Sequence, residues 1–122
     1  MSFRRDHACL IADVTGWIWT PEAVLNMFVR IGAELKRTGH HRLLVLDHTH
    51  GAVPGEADMR RLISAMQGRG FDGVRVAYVD ARGTAVGRME IGEIIAREQG
   101  YHCRVFDRED PARIWLNYGN VD

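Results

Sequence analysis

Four consecutive apolar residues, Leu43-Leu44-Val45-Leu46, end in Asp47 and run directly into a loop carrying His48, Thr49, His50, Gly51, Pro54 and Gly55. A short apolar run closed by turn formers reads as a strand buried on both faces. Only the middle of a sheet flanked by helices provides that environment. The loop leaves the carboxyl end of the strand, where open α/β sheets collect their ligands.

The flanking segments supply the rest of such a sheet. Ala8–Val14 reads as a first strand and Thr15-Gly16 as a turn. Trp17-Ile18-Trp19 is short and β-prone, and is expected to pair back on the first strand as a hairpin. Thr20 can cap a helix whose first position is Pro21, with Glu22 at its positive end. Over Pro21–Thr38, Val24, Met27, Phe28, Ile31 and Leu35 share one face, opposite Glu22, Asn26, Arg30, Glu34 and Arg37, and Gly39 fits the C-cap. A second helix over Glu56–Gln67 turns Met59, Leu62, Ile63 and Met66 inward. Gly73–Val79 is a strand, and Thr84 caps a third helix that runs to Gln99. Gly87 and Gly92 each weaken that helix by up to about 1 kcal/mol relative to Ala, unless they mark close packing. Tyr101–Phe106 is the last strand. Asp110-Pro111 opens a final helix with Ile114, Trp115 and Leu116, closed by Gly119-Asn120.

Each of the last three strands is reached through a helix, which predicts parallel pairing by right-handed crossovers. The expected fold is α/β: a mixed, mainly parallel central sheet of about five strands, four helices and an N-terminal antiparallel hairpin. A chain of 122 residues is expected to form one domain over residues 1–122, with one core.

Composition narrows the partners. Sixteen basic residues balance sixteen acidic ones, so there is no electrostatic footprint for nucleic acid or an anionic membrane. No run approaches the roughly 18 apolar residues of a membrane span. Met1–His7 is polar with no apolar stretch behind it, and the cytoplasm is the expected location. Cys9 and Cys103 sit in strand-like runs and read as buried thiols rather than a disulfide.

Four stretches taken in order resemble the SpoIIAA-like fold of the STAS family, particularly its small stand-alone bacterial STAS/SEC14-type proteins. They are Val14-Thr15-Gly16 with Thr20-Pro21-Glu22; Leu43-Leu44-Val45-Leu46-Asp47; Ile91-Gly92-Glu93 with Ala96-Arg97; and Arg104-Val105-Phe106-Asp107 with Ala112 and Trp115-Leu116. The resemblance implies a non-enzymatic regulatory or protein-interaction module. Regulatory members of the family are phosphorylated on a serine at the start of the second helix. The matching stretch here, Val53–Asp58, has no hydroxyl, and Thr49 is a weak substitute.

Three strands end in acid, at Asp47, Asp80 and Asp107. Parallel strands would bring these carboxylates to one sheet edge as a ligand or partner rim, although Asp also forms turns and caps after strands. The expected rim consists of Asp47, His48, Thr49, His50, Asp80 and Arg82. His48 and His50 would lie on one side of an extended chain, about 6.5 Å apart along the backbone, and with Asp80 could share a zinc ion. Two imidazoles do not make a metal site, and no nucleophile accompanies them, so no catalytic residue, metal or cofactor is assigned. Gly68-Arg69-Gly70-Phe71-Asp72-Gly73 matches G-x-G-x-x-G, but with a helix before it and a strand after it, the reverse of the dinucleotide fingerprint.

Trp17 and Trp19 alternate onto one face, and the first helix has a second apolar stripe at Leu25, Val29 and Ala33. These suggest a homodimer interface at Trp17, Trp19, Leu25 and Val29. Two alternatives to a protein-interaction module stand beside it. One is a carrier of a small apolar or acidic ligand, held between the second helix and the loops at 47–55 and 80–84. The other is a metal-assisted enzyme using His48 and His50.

Overall fold

In the computed structural model, Leu43, Leu44 and Val45 are completely buried and Leu46 nearly so. The structure describes residues 1–6, 9–18, 20–82 and 86–118, and the side chains of all these except 86–88. The elements run β1 (Ser2–Asp6), β2 (Cys9–Val14), β3 (Trp17–Ile18), α1 (Pro21–Thr38), β4 (Arg42–Asp47), β5 (His50–Gly51), α2 (Glu56–Ala65), β6 (Arg75–Asp80), α3 (Val86–Glu98), β7 (His102–Phe106) and α4 (Glu109–Tyr118).

Five strands form one sheet in the order β1-β2-β4-β6-β7. β2, β4, β6 and β7 are parallel and β1 is antiparallel to β2. The crossovers through α1, α2 and α3 each advance one place in the same direction, so a constant right hand puts all three helices on one face. Strand alternation then divides the core in two. Leu10, Ala12, Leu43, Val45, Val76 and Tyr78 lie under α1–α3 with Met27, Ile31 and Leu35. Ile11, Leu44, Leu46, Ala77 and Val79 face the other way, under Ala112 and Leu116 of α4. Arg75 fixes α4 by donating to the Trp115 carbonyl at 3.1 Å and lying 4.9 Å over its ring. Arg113 bridges Glu109 and Asp6.

The mixed, mostly parallel five-stranded sheet, four helices and N-terminal hairpin agree with expectation, but the hairpin uses different residues. Its first strand is Ser2–Asp6, which lies within the stretch read from sequence only as polar. Arg4 pairs with Asp13 across it at 2.7 Å. Trp17–Ile18 does not fold back on the first strand. It pairs in parallel with His50–Gly51 in a separate two-stranded sheet. Trp19, the Thr84 cap and the Gly119-Asn120 stop lie outside the described residues.

Helix α1 has the bounds its caps predict. The Thr20 hydroxyl accepts from the Ala23 N–H, and Gly39, at φ 73°, donates its N–H to the Leu35 carbonyl. Its Gly32 and the loop residue Gly70 touch reciprocally. A Cβ on Gly32 would collide with the Arg69 carbonyl, and one on Gly70 with the Gly32 carbonyl. Gly68, Gly70 and Gly73 all have positive φ, so the G-x-G-x-x-G run is a chain of turns packed on α1, not a phosphate cradle.

The β7 edge of the sheet is covered by side chains. Val105 donates its N–H to Glu93 at 2.7 Å, and the Cys103 carbonyl accepts from Arg97 at 3.2 Å. These groups flank Arg104 on the open side of β7, where an added strand would bond. No helix among the described residues is long and apolar enough to cross a membrane.

Candidate functional site

β4 and β6 end together, with Asp47 and Asp80 as register partners on adjacent parallel strands. Both point to the α1–α3 side by alternation from Val45 and Tyr78. Asp47 is held by three donors. Oδ1 accepts from the Thr49 N–H at 2.8 Å and the Thr49 hydroxyl at 2.6 Å, and Oδ2 accepts from the Tyr78 hydroxyl. Asp80 is only 6% exposed, the one charged residue among those described that is so buried, and its Oδ1 accepts from the Arg82 N–H at 3.2 Å.

Both carboxylates line a cavity of about 350 Å³ between the sheet and all three helices of this face. That volume is at the low end for small-molecule sites, roughly 300–1,000 Å³. Its walls are mostly apolar. Met27, Met59, Met66 and Met89 contribute flexible thioethers, Phe28 and Phe71 aromatic faces, and Val76 and Val105 the floor. The space depends on how α2 and α3 meet: Gly92 sits against the Met59 thioether, where even a Cβ would collide.

The small sheet of β3 and β5 lies at the cavity mouth, and Trp17, Ile18, His50 and Gly51 all line it. Trp17 stacks on the His50 ring with centroids 4.6 Å apart, while Arg82 reaches that ring with Nη1, 2.6 Å from Nε2. Gly51 is indispensable there: at φ 129°, any Cβ would run into the Ile18 carbonyl.

Of the expected rim, the fold gathers Asp47, Thr49, His50, Asp80 and Arg82 around this mouth and leaves His48 out. His48 is exposed, and its N–H donates to the Val14 carbonyl at 2.8 Å. No group of three potential ligands among the described residues could hold a metal ion. Asp107 is exposed beside Arg108, away from the cavity. Trp17 is 65% exposed, whereas Leu25 and Val29 are half-buried against the chain's own core.

Sequence reasoning missed Tyr78, Glu93 and the four methionines as lining residues. Tyr78 could have been found from its i, i+2 relation to Asp80 on one strand face. The methionines carry no such signal, because an inward methionine looks the same whether it fills a core or walls a cavity. Burial and the neighbouring Asp47 hold the Tyr78 hydroxyl well above the usual tyrosine range. Burial, then Glu93, pushes the Cys103 thiol up to about 12, against a smaller opposing effect of Arg97. Neither group is a nucleophile at neutral pH. Comparison with protein-family models, curated proteins and solved structures finds no match.

Proposed function

We propose that this chain is a SpoIIAA-like domain that works without catalysis, by holding one small and mainly apolar ligand under the β3–β5 mouth. The observation that carries this reading is the cavity of about 350 Å³, bounded by α1, α2, α3 and the sheet. Ligand sites are concave and mostly apolar, with a few convergent polar groups, and here those groups converge at the carboxyl ends of β4 and β6. A phosphorylation switch at the start of α2 plays no part in this function, because Val53–Asp58 has no hydroxyl.

A neutral apolar fluorophore such as N-phenyl-1-naphthylamine tests it. Saturable binding of one molecule per chain is expected, and Val53→Trp should abolish it. Val53 is a loop residue lining the cavity, so the larger ring blocks the space without entering a helix or strand. Absence of saturable binding, or binding that ignores Val53→Trp, refutes the carrier.

Exposed Trp17 favours a second reading, in which the mouth is also a protein-contact surface, self-association included. Sedimentation equilibrium decides the self-association. A mass fixed at 13.8 kDa into the high micromolar range excludes a homodimer.

A further inference from the structure

We infer that the cavity selects an amphiphile with a protonated amine head, an alkyl or arylalkyl ammonium, over an acid or alcohol with the same tail. This rests on the ligand-binding reading above and adds the chemical class of the ligand. Two independent features of the lining carry it.

The first is charge. Among the described residues, Asp47, Asp80 and Glu93 line the cavity with one guanidinium, Arg82, so the described lining carries more acidic than basic side chains. They come from three elements, β4, β6 and α3, and converge on one volume. Carboxylates facing an apolar space favour a cation that enters it, since attraction is strong where water is excluded.

The second is hydrogen-bond polarity. A hydroxyl has one proton to donate and two lone pairs. Thr49 and Tyr78 both direct that proton to Asp47, so their oxygens offer an incoming head group only lone pairs. The neck is therefore rich in acceptors, and an ammonium, with three donors and no acceptor, complements it. A carboxylate head has only acceptors and meets like charge.

Two features among the described residues favour an anion, and each is weakened where it stands, by solvent screening or by acidic neighbours. Arg82 is exposed at the rim, with Nη1 on the His50 ring. The amino end of α2 carries Glu56 and Asp58 in its own first turn. The tail then lies along Met27, Met59, Met66 and Met89, whose unbranched side chains adapt to alkyl or aryl shapes.

Decylamine, decanol and decanoate share a tail and differ only in the head, and titration calorimetry below their aggregation concentrations ranks them. Decylamine is expected to bind tightest and decanoate weakest. Asp80→Asn should cut decylamine affinity about tenfold and decanol affinity by much less. Glu93→Gln is the second variant, because its amide oxygen can still accept the Val105 N–H and keep α3 seated on β7. Decanol or decanoate binding as tightly as decylamine overturns the amine selectivity while leaving the carrier standing. If none of the three binds, the carrier falls with it. A decylamine preference that survives both variants would mean the amine sits on other carboxylates, and also overturns the inference.

Discussion

Tyr78 on β6 donates its hydroxyl proton to Asp47 on β4, two residues beyond its register partner Val45. The bond ties the floor of the cavity to its neck. Tyr78→Phe removes one of three donors to Asp47 and is expected to cost about 1–3 kcal/mol in a urea titration. Unchanged stability would show that the bond contributes nothing. The folded protein holds Tyr78 protonated beyond the ordinary tyrosine range. Its contribution is therefore complete below about pH 10, the unfolded value, and declines as pH rises from there toward the folded value. Stability of the Phe variant should fall less steeply above pH 10.

Cys103 lines the cavity with its thiol pushed up to about 12, by burial first and Glu93 second. At pH 8 the thiolate fraction is on the order of 10⁻⁴, so iodoacetamide should leave the folded protein unlabelled and modify it readily in denaturant. Cys9, also raised by burial, should behave alike. Stoichiometric labelling of Cys103 within minutes, read by mass spectrometry, would contradict this environment.

Leu44 is completely buried on the α4 side of the central strand. Leu44→Asp loses roughly 1.5–3 kcal/mol of apolar burial and adds an unpaired charge in the core. The expected outcome is a chain with no cooperative thermal transition by circular dichroism. A midpoint close to the parent's would place β4 elsewhere than the middle of the sheet.

Gly32 and Gly92 should respond differently to alanine. Helix propensity alone would favour Ala at either position by about 1 kcal/mol. At Gly32 the new methyl meets the Arg69 backbone carbonyl, which can move only with its loop, so Gly32→Ala should destabilise. At Gly92 it meets the flexible Met59 side chain, so a smaller loss is expected, together with weaker ligand binding as Met59 is driven into the cavity. Equal midpoints for Gly32→Ala and the parent would disprove the close contact.

Legibility in the sequence followed how local the cause was. Pro21–Thr38 was readable to the residue because Thr20, Pro21 and Gly39 are caps acting within one turn. Leu43–Leu46 was readable because continuous apolarity implies two covered faces. Ser2–Asp6 was not, because an edge strand bearing Arg4, Arg5 and Asp6 becomes a strand only through pairing with Cys9–Val14. Trp17–Ile18 was β-prone, yet its partner His50–Gly51 comes after a whole helix and strand. Most of the rim could be named from acids and histidines after strands. The cavity behind it could not, since it arises where α2 and α3 meet at Gly92 and Met59.

Among the described residues, the two edges of the five-stranded sheet differ. Glu93 and Arg97 occupy backbone groups of β7 that a new strand would need, while β1 ends the sheet on the other side with no strand beyond it among the described residues. Such an object is monovalent. A second copy joined at β1 would turn a β7 edge outward on each side, so growth through this sheet is disfavoured beyond a pair.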